Sequence, residues 1–289
     1  MKRAFLVPAM AVLAAAVLSL PVAGAERSRQ EAAPLPVPQQ VSVAPAPIEE
    51  VSPERNPATA LFPAGWEDDV YCTGWIGEFS EPVTGHIVAA EYEDSRTMYA
   101  TGDIVYSDVG SRDGLMPGQE LQVIRPAHDV YEIDSVFDKI GRFYLTPGRV
   151  RVVCVQERTA ILEFTESCAP SAIGDLLIPF EPIPIPLVRA STPLTQCDAP
   201  SGKTTGRIIE VKDRAVPVGT DSVVYLDLGE EDGLFPGDFM TVWRPRAGDL
   251  GLRTVLGEVA VLFTKARTCV AKVTSMVDTM GRGDFVELK

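Results

Sequence analysis

The chain contains one stretch of sequence twice. Residues 103 to 126 read DIVYSDVGSRDGLMPGQELQVIRP and residues 222 to 245 read SVVYLDLGEEDGLFPGDFMTVWRP, with 12 of 24 aligned positions identical at an offset of 119. A second block begins at Gly148 and repeats from Gly257, at an offset of 109. The repeated unit is about ninety residues long, and a unit of that size is a small domain rather than one coil of a solenoid. We therefore expect two tandem domains with one fold.

Each copy has the pattern of short β-strands. Runs rich in β-branched and aromatic residues end at Gly turn signals, which is typical of strands joined by tight connections. Two of the runs predict a hairpin in each copy, RVRVVCV with AILEF and EVAVLFT with CVAKV. Neither copy shows an amphipathic helix of three turns. The sequence predicts an all-β protein with two tandem small β-barrels, SH3-like or similar, of about six strands each, or two tight sandwiches.

The N-terminus has the pattern of a secretory signal. Lys2 and Arg3 precede an apolar run from Ala4 to Leu20, and a small-residue site ends at Ala25. This predicts a cleaved signal peptide over residues 1–25, with an uncleaved membrane anchor as the alternative. We therefore expect an exported protein of the periplasm or cell envelope, with no membrane span in the mature chain.

The charge of the chain bears on its partners. The formal net charge is -14, and removal of Lys2 and Arg3 with the signal peptide makes it -16. Binding to nucleic acid depends on basic residues that displace counterions from phosphates, and the sequence has no basic cluster. We therefore expect no nucleic-acid partner.

Two Pro-rich stretches divide the rest of the chain. The first has no aromatic residue from 26 to 60, too little apolar surface for a core, and predicts a disordered tether over residues 26–65. The second, from Pro179 to Pro193, favours a stiff polyproline spacer that holds the two domains apart, with a ligand role as the alternative. The predicted domains are therefore a first β-barrel repeat at 66–178, a linker at 179–196 and a second repeat at 197–289.

The sharpest local motif is G-x-x-D-G-L-x-P-G, which occurs in both copies. Asp-Gly and Pro-Gly are turn formers, and Leu115 and Leu234 between them are expected to enter the core. We predict a structural role for the repeated positions Gly110, Asp113, Gly114, Pro117, Gly118, Gly229, Asp232, Gly233, Pro236 and Gly237.

A calcium site is the competing interpretation of this motif. Its ligands would be Asp108 and Asp113, or Asp227, Glu231 and Asp232. An EF-hand loop needs an oxygen ligand at its third position, where both copies have Gly, so we expect no metal and no cofactor.

Five cysteines follow the predicted cleavage site. Disulfides are allowed in an oxidising compartment, but an odd number leaves at least one thiol free or paired between chains. Cys72 and Cys168 lie near the two ends of the first unit and form the favoured pair. The alternative is that the cysteines are buried free thiols.

The copies differ mainly in the length of one connection. From the shared Pro to the shared Gly, the first copy uses 22 residues, Pro126 to Gly148, whereas the second uses 12, Pro245 to Gly257. Loops on rigid scaffolds often carry binding function, so residues 127–147 are a candidate binding loop. The alternative is a loop that folds back over its own barrel. The candidate residues are His128, Tyr131, Phe137, Phe143 and Tyr144.

Catalytic motifs do not stand out in the sequence. His86 and His128 are the two histidines, neither in a metal-ligand spacing. The chain has no G-x-S-x-G and no phosphate-binding Gly loop. A pair of carboxylates for glycoside hydrolysis comes together only in the folded protein, so the sequence alone does not exclude one. We expect a protein that is not an enzyme.

The repeated V-Y-x-D-x-G-x-x-D-G-L-x-P-G-x-x-x-x-V-x-R-P, with the downstream hairpin that leads to Gly-Asp, resembles a family of bacterial envelope proteins. Some members carry a LysM peptidoglycan-binding module. The repeated unit also resembles the C-terminal β-barrel domain of the flagellar outer-membrane T-ring assembly protein. The resemblance covers roughly residues 70 to 289 and implies an envelope-associated interaction module.

These patterns together favour a non-catalytic exported protein that binds or scaffolds in the cell envelope. Its partner would be an envelope protein, to which it offers an edge strand or the 127–147 loop, or peptidoglycan. The alternative function is carbohydrate binding, with sugar rings stacked on Trp66, Trp75 and Trp243. A less favoured alternative is an envelope hydrolase.

Overall fold

The structure is a computed structural model that describes residues 60–192, 195–214, 218–246 and 252–289. The predicted signal peptide and residues 26–59 of the predicted tether lie outside these residues. The described part is nearly all β and contains two closed six-stranded antiparallel barrels, which confirms the predicted fold class.

The elements follow one another in a simple order. A short segment precedes the first barrel and contains β1 (Leu61–Pro63), α1 (Glu67–Tyr71) and β2 (Trp75–Gly77). The first barrel consists of β3 (Gly85–Ala90), β4 (Ile104–Ser107), β5 (Glu120–Tyr131), β6 (Lys139–Val155), β7 (Ala160–Ser167) and β8 (Leu176–Pro179). A linker strand follows, β9 (Leu187–Arg189). The second barrel consists of β10 (Thr205–Val211), β11 (Val223–Leu226), β12 (Phe239–Pro245), β13 (Arg253–Thr264), β14 (Cys269–Met276) and β15 (Phe285–Leu288).

The two barrels have the same topology. The first has the strand order β3-β4-β7-β6-β5-β8 and closes where β8 pairs with β3. The second has the order β10-β11-β14-β13-β12-β15 and closes where β15 pairs with β10. Inward-facing residues such as Ile87 and its counterpart Ile208 are fully buried in separate barrel cores. The internal duplication is therefore a duplication of a complete closed barrel.

The repeated motif forms the same turn in both barrels. The Asp113 carboxylate accepts a hydrogen bond from the Gly110 N–H at 2.9 Å, and Asp232 accepts one from Gly229 at 2.9 Å. The turn then passes through a left-handed residue, Gly114 in the first copy, with φ of +88°, which glycine adopts without strain. The same holds for Gly118, Gly233 and Gly237. Leu115 and Leu234 are buried in the two cores, so these residues occupy the structural positions that we predicted.

One ion pair is also duplicated. The guanidinium of Arg125 donates to both carboxylate oxygens of Asp175, at 2.6 and 2.7 Å. In the second barrel Arg244 binds Asp284 in the same bidentate way, at 2.6 and 2.8 Å. Each pair joins a long central strand to the start of the last strand of its barrel. The shared Arg-Pro and Gly-Asp sequences therefore form the same contact between two neighbouring strands in both barrels.

A disulfide links Cys72 to Cys168, the pair that we predicted, across a sequence separation of 96 residues. It ties the end of α1 to the end of β7. Among the described residues, the cysteines outside this bond are Cys154 and Cys197, which are exposed, and Cys269, which is buried.

The loop predicted at 127–147 is not a loop. β5 and β6 continue beyond the barrel as a long hairpin, in which Val130 pairs with Gly141 and β2 pairs alongside β6. We call residues 127–147 the arm. Its apolar residues, including Val130 and Ile140, are buried against the second barrel, so the arm extends toward the other repeat and does not fold back over its own barrel. Strand-favouring residues with apolar side chains at the contact explain the extended hairpin.

The Pro-rich linker does not hold the barrels apart. A single apolar cluster, the inter-barrel core, contains residues of both repeats, among them Ile76, Phe143, Tyr225, Leu262 and Val270. The linker lies along this core, because Ile183 and Ile185 pack against it. The Tyr71 hydroxyl donates to Ile183 O at 3.2 Å and accepts from Ile183 N at 3.0 Å. The spacer interpretation was wrong because the isoleucines between the prolines supply apolar surface that packs.

The end of the predicted tether is also ordered. β1 lies at its C-terminal end and pairs with β9 in the linker, with Phe62 opposite Val188. This two-stranded ribbon lies outside both barrels.

Candidate binding groove between the barrels

The segment before the first barrel is fixed to the second barrel by buried polar contacts. The Tyr225 hydroxyl donates to Thr73 O, and the Thr268 hydroxyl donates to Ile76 O at 2.6 Å. Lys272, only 6% exposed, binds the Asp69 carboxylate at 2.7 Å. Buried polar groups with partners specify a single packing arrangement, so the position of this segment on the second barrel is well defined.

The arm reaches the same face of the second barrel. The Phe143 ring meets the Tyr225 ring edge on, with centroids 5.0 Å apart, and the His128 ring stacks on Phe143 at 5.4 Å. His128 Nε2 lies 3.1 Å from the Glu210 carboxylate on β10. Burial raises the pKa of Tyr225, so its hydroxyl stays protonated and able to donate.

A groove of about 680 Å³ runs between the two barrels beside these contacts. One wall carries the arm residues His128, Phe143 and Leu145, and the end of β10 contributes Glu210. The disulfide of Cys72 forms part of the floor. The groove therefore combines an apolar wall with charged groups at its edge, which is typical of binding sites at domain interfaces.

The edge of the groove holds unusual backbone conformations. Asp213 and Arg214 have φ of +57° and +51°, in the left-handed region that non-glycine residues rarely adopt. Lys212 beside them also lines the groove. Strained residues cluster at functional sites, where the surrounding structure holds them in place, so this pair marks the groove edge as a candidate site.

The five residues predicted for the binding loop separate in the structure. His128 and Phe143 line the groove, whereas Tyr144 stacks on Trp75 at 5.9 Å within the inter-barrel core. Tyr131 is half-buried under the Lys139 ammonium. Phe137 stands at the arm tip and is 86% exposed. Sequence analysis missed Thr73, Glu210 and the Lys212–Arg214 edge, because no local pattern shows that these segments meet.

The three tryptophans differ in the access to their rings. Trp75 is buried between Tyr144 and the Lys265 ammonium, which lies 4.7 Å from its ring centroid. Trp243 stacks on Phe285 at 4.6 Å. Trp66 is 69% exposed. Of these three rings, that of Trp66 is the most exposed and the best placed to stack on a sugar.

Two carboxylates approach each other in the groove. Oxygens of Asp68 and Glu166 and the sulfur of Cys72 all lie within 4.8 Å of one another. The Cys72 sulfur is in a disulfide and is not a thiolate, so this group is a poor metal site. Glu166 already accepts a hydrogen bond from Arg149 at 2.8 Å. The carboxylate pair is nevertheless close enough to keep the hydrolase alternative testable.

A hydroxyl and an amine also meet on the second barrel. Ser191 Oγ lies 2.7 Å from Lys289 Nζ and donates to the Glu258 carboxylate at 2.6 Å. Lys289 forms an ion pair with the same carboxylate. The arrangement is that of a partly buried ion pair with a bound hydroxyl rather than an activated nucleophile.

No protein-family model matches the chain, and no curated protein matches its sequence significantly. Among the described residues, no helix has both the length and the apolar character needed to span a bilayer.

Proposed function

We propose that this protein is an exported, non-catalytic binding or scaffolding module of the cell envelope, and that the inter-barrel groove is where it binds. The observation that carries the proposal is that the groove is made where the two repeats differ. The arm is the main insertion of the first copy relative to the second, and it forms one groove wall.

The walls of the groove are preorganised. The Cys72–Cys168 disulfide, the His128–Glu210 contact and the buried Tyr225 hydroxyl each fix a different segment. A rigid site loses less conformational entropy on binding, which favours affinity without any catalytic step.

The partner that fits best is a segment of another envelope protein. Leu145 supplies exposed apolar surface beside the edge of the Phe143 ring, and Lys212, Asp213 and Arg214 supply charges of both signs at the edge. This combination suits a peptide segment with an apolar side chain flanked by charged residues. The resemblance to envelope proteins and to the T-ring barrel domain supports the same class of partner.

Affinity capture from an envelope extract tests this proposal. Leu145 is 39% exposed on the groove wall, so Leu145→Glu places a charge there without disturbing a core. Leu252→Glu is the matched control, at a 54% exposed leucine outside the groove. We expect the wild type and the control to retain the same component and Leu145→Glu to lose it. Equal retention by all three proteins would show that the groove is not the site.

Carbohydrate binding is the second candidate, and the exposed Trp66 ring favours it. Co-sedimentation with peptidoglycan sacculi decides between the two. Binding that is lost in Trp66→Ala but kept in Phe137→Ala, another exposed aromatic, would assign a sugar-stacking role to Trp66. No co-sedimentation of the wild type would remove this candidate.

The hydrolase alternative has its own test. If sacculi released soluble fragments with the wild type but not with Glu166→Gln, the protein would be an enzyme and the binding proposal would be replaced. We expect no release with either protein.

A further inference from the structure

The outer face of the second barrel has a counterpart on the first barrel, residue for residue. On the second barrel, cross-strand pairing aligns Tyr225, Val270 and Phe263 in one row. On the first barrel, the same pairings align Tyr106, Ile161 and Cys154. We call the surface around this second row the first-barrel face.

The two faces differ in what covers them. Tyr225, Val270 and Phe263 are at most 4% exposed, because the arm and the segment before the first barrel pack on them. Ile209 and Leu262, which flank this row, are also fully buried.

The first-barrel face is open in the described part of the chain. Val88 and Val153 occupy the positions of Ile209 and Leu262, but they are 45% and 49% exposed. Cys154, at the position of Phe263, is an exposed free thiol. Apolar side chains of this kind grouped on one barrel face mark an interaction surface more often than isolated exposed ones do.

The charges on this face differ from those on its counterpart. The second barrel has Ala260 opposite Lys272, and Asp69 neutralises that lysine. The first barrel has Arg151 opposite Glu163. The face therefore presents both signs side by side, and a two-fold axis lying in the face between β6 and β7 would bring Arg151 of one copy opposite Glu163 of the other.

We propose that the first-barrel face packs against the same face of a second copy of this chain, as a two-fold symmetric dimer. An isologous contact uses one surface twice and closes on itself, so it needs the self-complementary charge arrangement that Arg151 and Glu163 supply. The dimer carries two inter-barrel grooves, and a partner with two matching segments would gain avidity from them.

The dissociation constant of this dimer should depend on salt concentration in a characteristic way. Each chain carries a formal charge of -14, or -16 without the predicted signal peptide, so two copies repel each other at low ionic strength. Moderate salt screens this repulsion more than it weakens the short Arg151–Glu163 contacts in the interface. Dimerisation therefore strengthens as salt is raised from low ionic strength.

Sedimentation equilibrium of the purified protein tests the proposal. We expect a monomer–dimer equilibrium in which Val153→Asp raises the dissociation constant by at least about tenfold, because a charge replaces an apolar group in the contact. Val88→Asp should act in the same direction. Val277→Asp is the matched control, at a 62% exposed valine on the second barrel, and should leave the equilibrium unchanged. Circular dichroism melting confirms that each variant is folded.

Cross-linking with a short bismaleimide provides an independent test of dimer formation. In a Cys197→Ser background, it should join two chains through Cys154, and Cys154→Ser should abolish the product. A protein that stays monomeric at all concentrations overturns the proposal, even if an unrelated partner proves to cover the face. A dimer that Val277→Asp and Val153→Asp weaken equally also overturns it, because its contact lies elsewhere.

Discussion

The Phe143 ring, on the arm of the first repeat, lies edge on to the Tyr225 ring of the second repeat, with centroids 5.0 Å apart. Phe143 is 7% exposed and Tyr225 is fully buried. The two rings belong to different copies of one fold, and their contact lies in the inter-barrel core. The barrels are therefore joined by side chains as well as by the linker.

Removal of the Phe143 ring should weaken this junction. We expect Phe143→Ala to lower the free energy of unfolding by about 3 kcal/mol, since large-to-small changes at buried aromatic sites cost this much. Urea denaturation followed by fluorescence and by far-UV circular dichroism measures it. The two probes should coincide in the wild type and separate in the variant, as the barrels begin to unfold independently.

Phe137→Ala is the control on the same arm. Phe137 is 86% exposed at the arm tip, so its loss should change stability by less than about 0.5 kcal/mol. Similar losses in the two variants would mean that the contact with Tyr225 does not join the barrels.

The buried ammonium of Lys272 should need its partner on α1, Asp69, for the protein to keep its full stability. Asp69→Asn removes its partner at 2.7 Å and leaves Asp221, 3.3 Å away and largely exposed. Loss of one partner of a buried ion pair leaves charge uncompensated, so we expect a cost of about 3 kcal/mol by thermal or urea denaturation. Asp103→Asn, which breaks the more exposed pair with Arg96, should cost less than about 1 kcal/mol. Comparable costs would show that Lys272 is not held by Asp69.

The two bidentate ion pairs, one in each barrel, should contribute similarly to the free energy of unfolding. Asp175→Asn and Asp284→Asn each leave an arginine without its carboxylate, and both aspartates are nearly fully buried. Because the arginines are partly exposed, we expect each variant to lose about 1 to 3 kcal/mol of stability in urea denaturation, the worth of charge-assisted hydrogen bonds, with the two losses within about 1 kcal/mol of each other. A loss in only one of the two variants would show that the pair stabilises only that barrel.

Replacement of Asp227, unlike the replacements above, should stabilise the protein. Burial raises the pKa of its carboxyl, against a smaller opposing effect of the hydrogen bond from the Arg207 N–H. A raised folded-state pKa means that ionisation destabilises the folded state above that pKa, and that the penalty disappears once pH falls below the unfolded-state value. Asp227→Asn, whose amide oxygen still accepts from Arg207, should therefore stabilise the protein at neutral pH, with the gain lost in acid.

Asp108 is the matched residue of the first barrel. It accepts from the His86 N–H at 2.7 Å and also contacts the His86 ring at 2.9 Å, at an exposed site. Asp108→Asn should not stabilise the protein at neutral pH. Denaturant midpoints over a pH series measure both variants, and a neutral or destabilising Asp227→Asn at pH 7 would contradict the burial argument.

The sequence predicted the barrels well because their determinants are local and occur twice. Strand runs, the Asp113 and Asp232 turns and the buried leucines between them are visible in any one copy, and the duplication confirms the pattern. The Cys72–Cys168 pair was predicted from the positions of the two residues at the ends of one unit.

The relationship between the barrels could not be predicted in the same way. Tyr106 and Tyr225 occupy equivalent positions, yet one is half-buried and the other fully buried, and no local pattern distinguishes them. The difference arises from a non-local event, the docking of the arm and α1 on the second barrel. The aromatic residues of the arm were recognised as special, but their contact surface belongs to a segment about eighty residues further along the chain.

Amide hydrogen exchange tests most directly the claim that the protein functions by binding in its inter-barrel groove. Exchange is compared for the protein alone and for the protein saturated with the component captured from the envelope fraction. We expect slower exchange in the arm around His128 and Leu145 and around Lys212, with no change at the exposed arm tip. Protection confined to surfaces outside the groove, or no protection at all, would contradict the account.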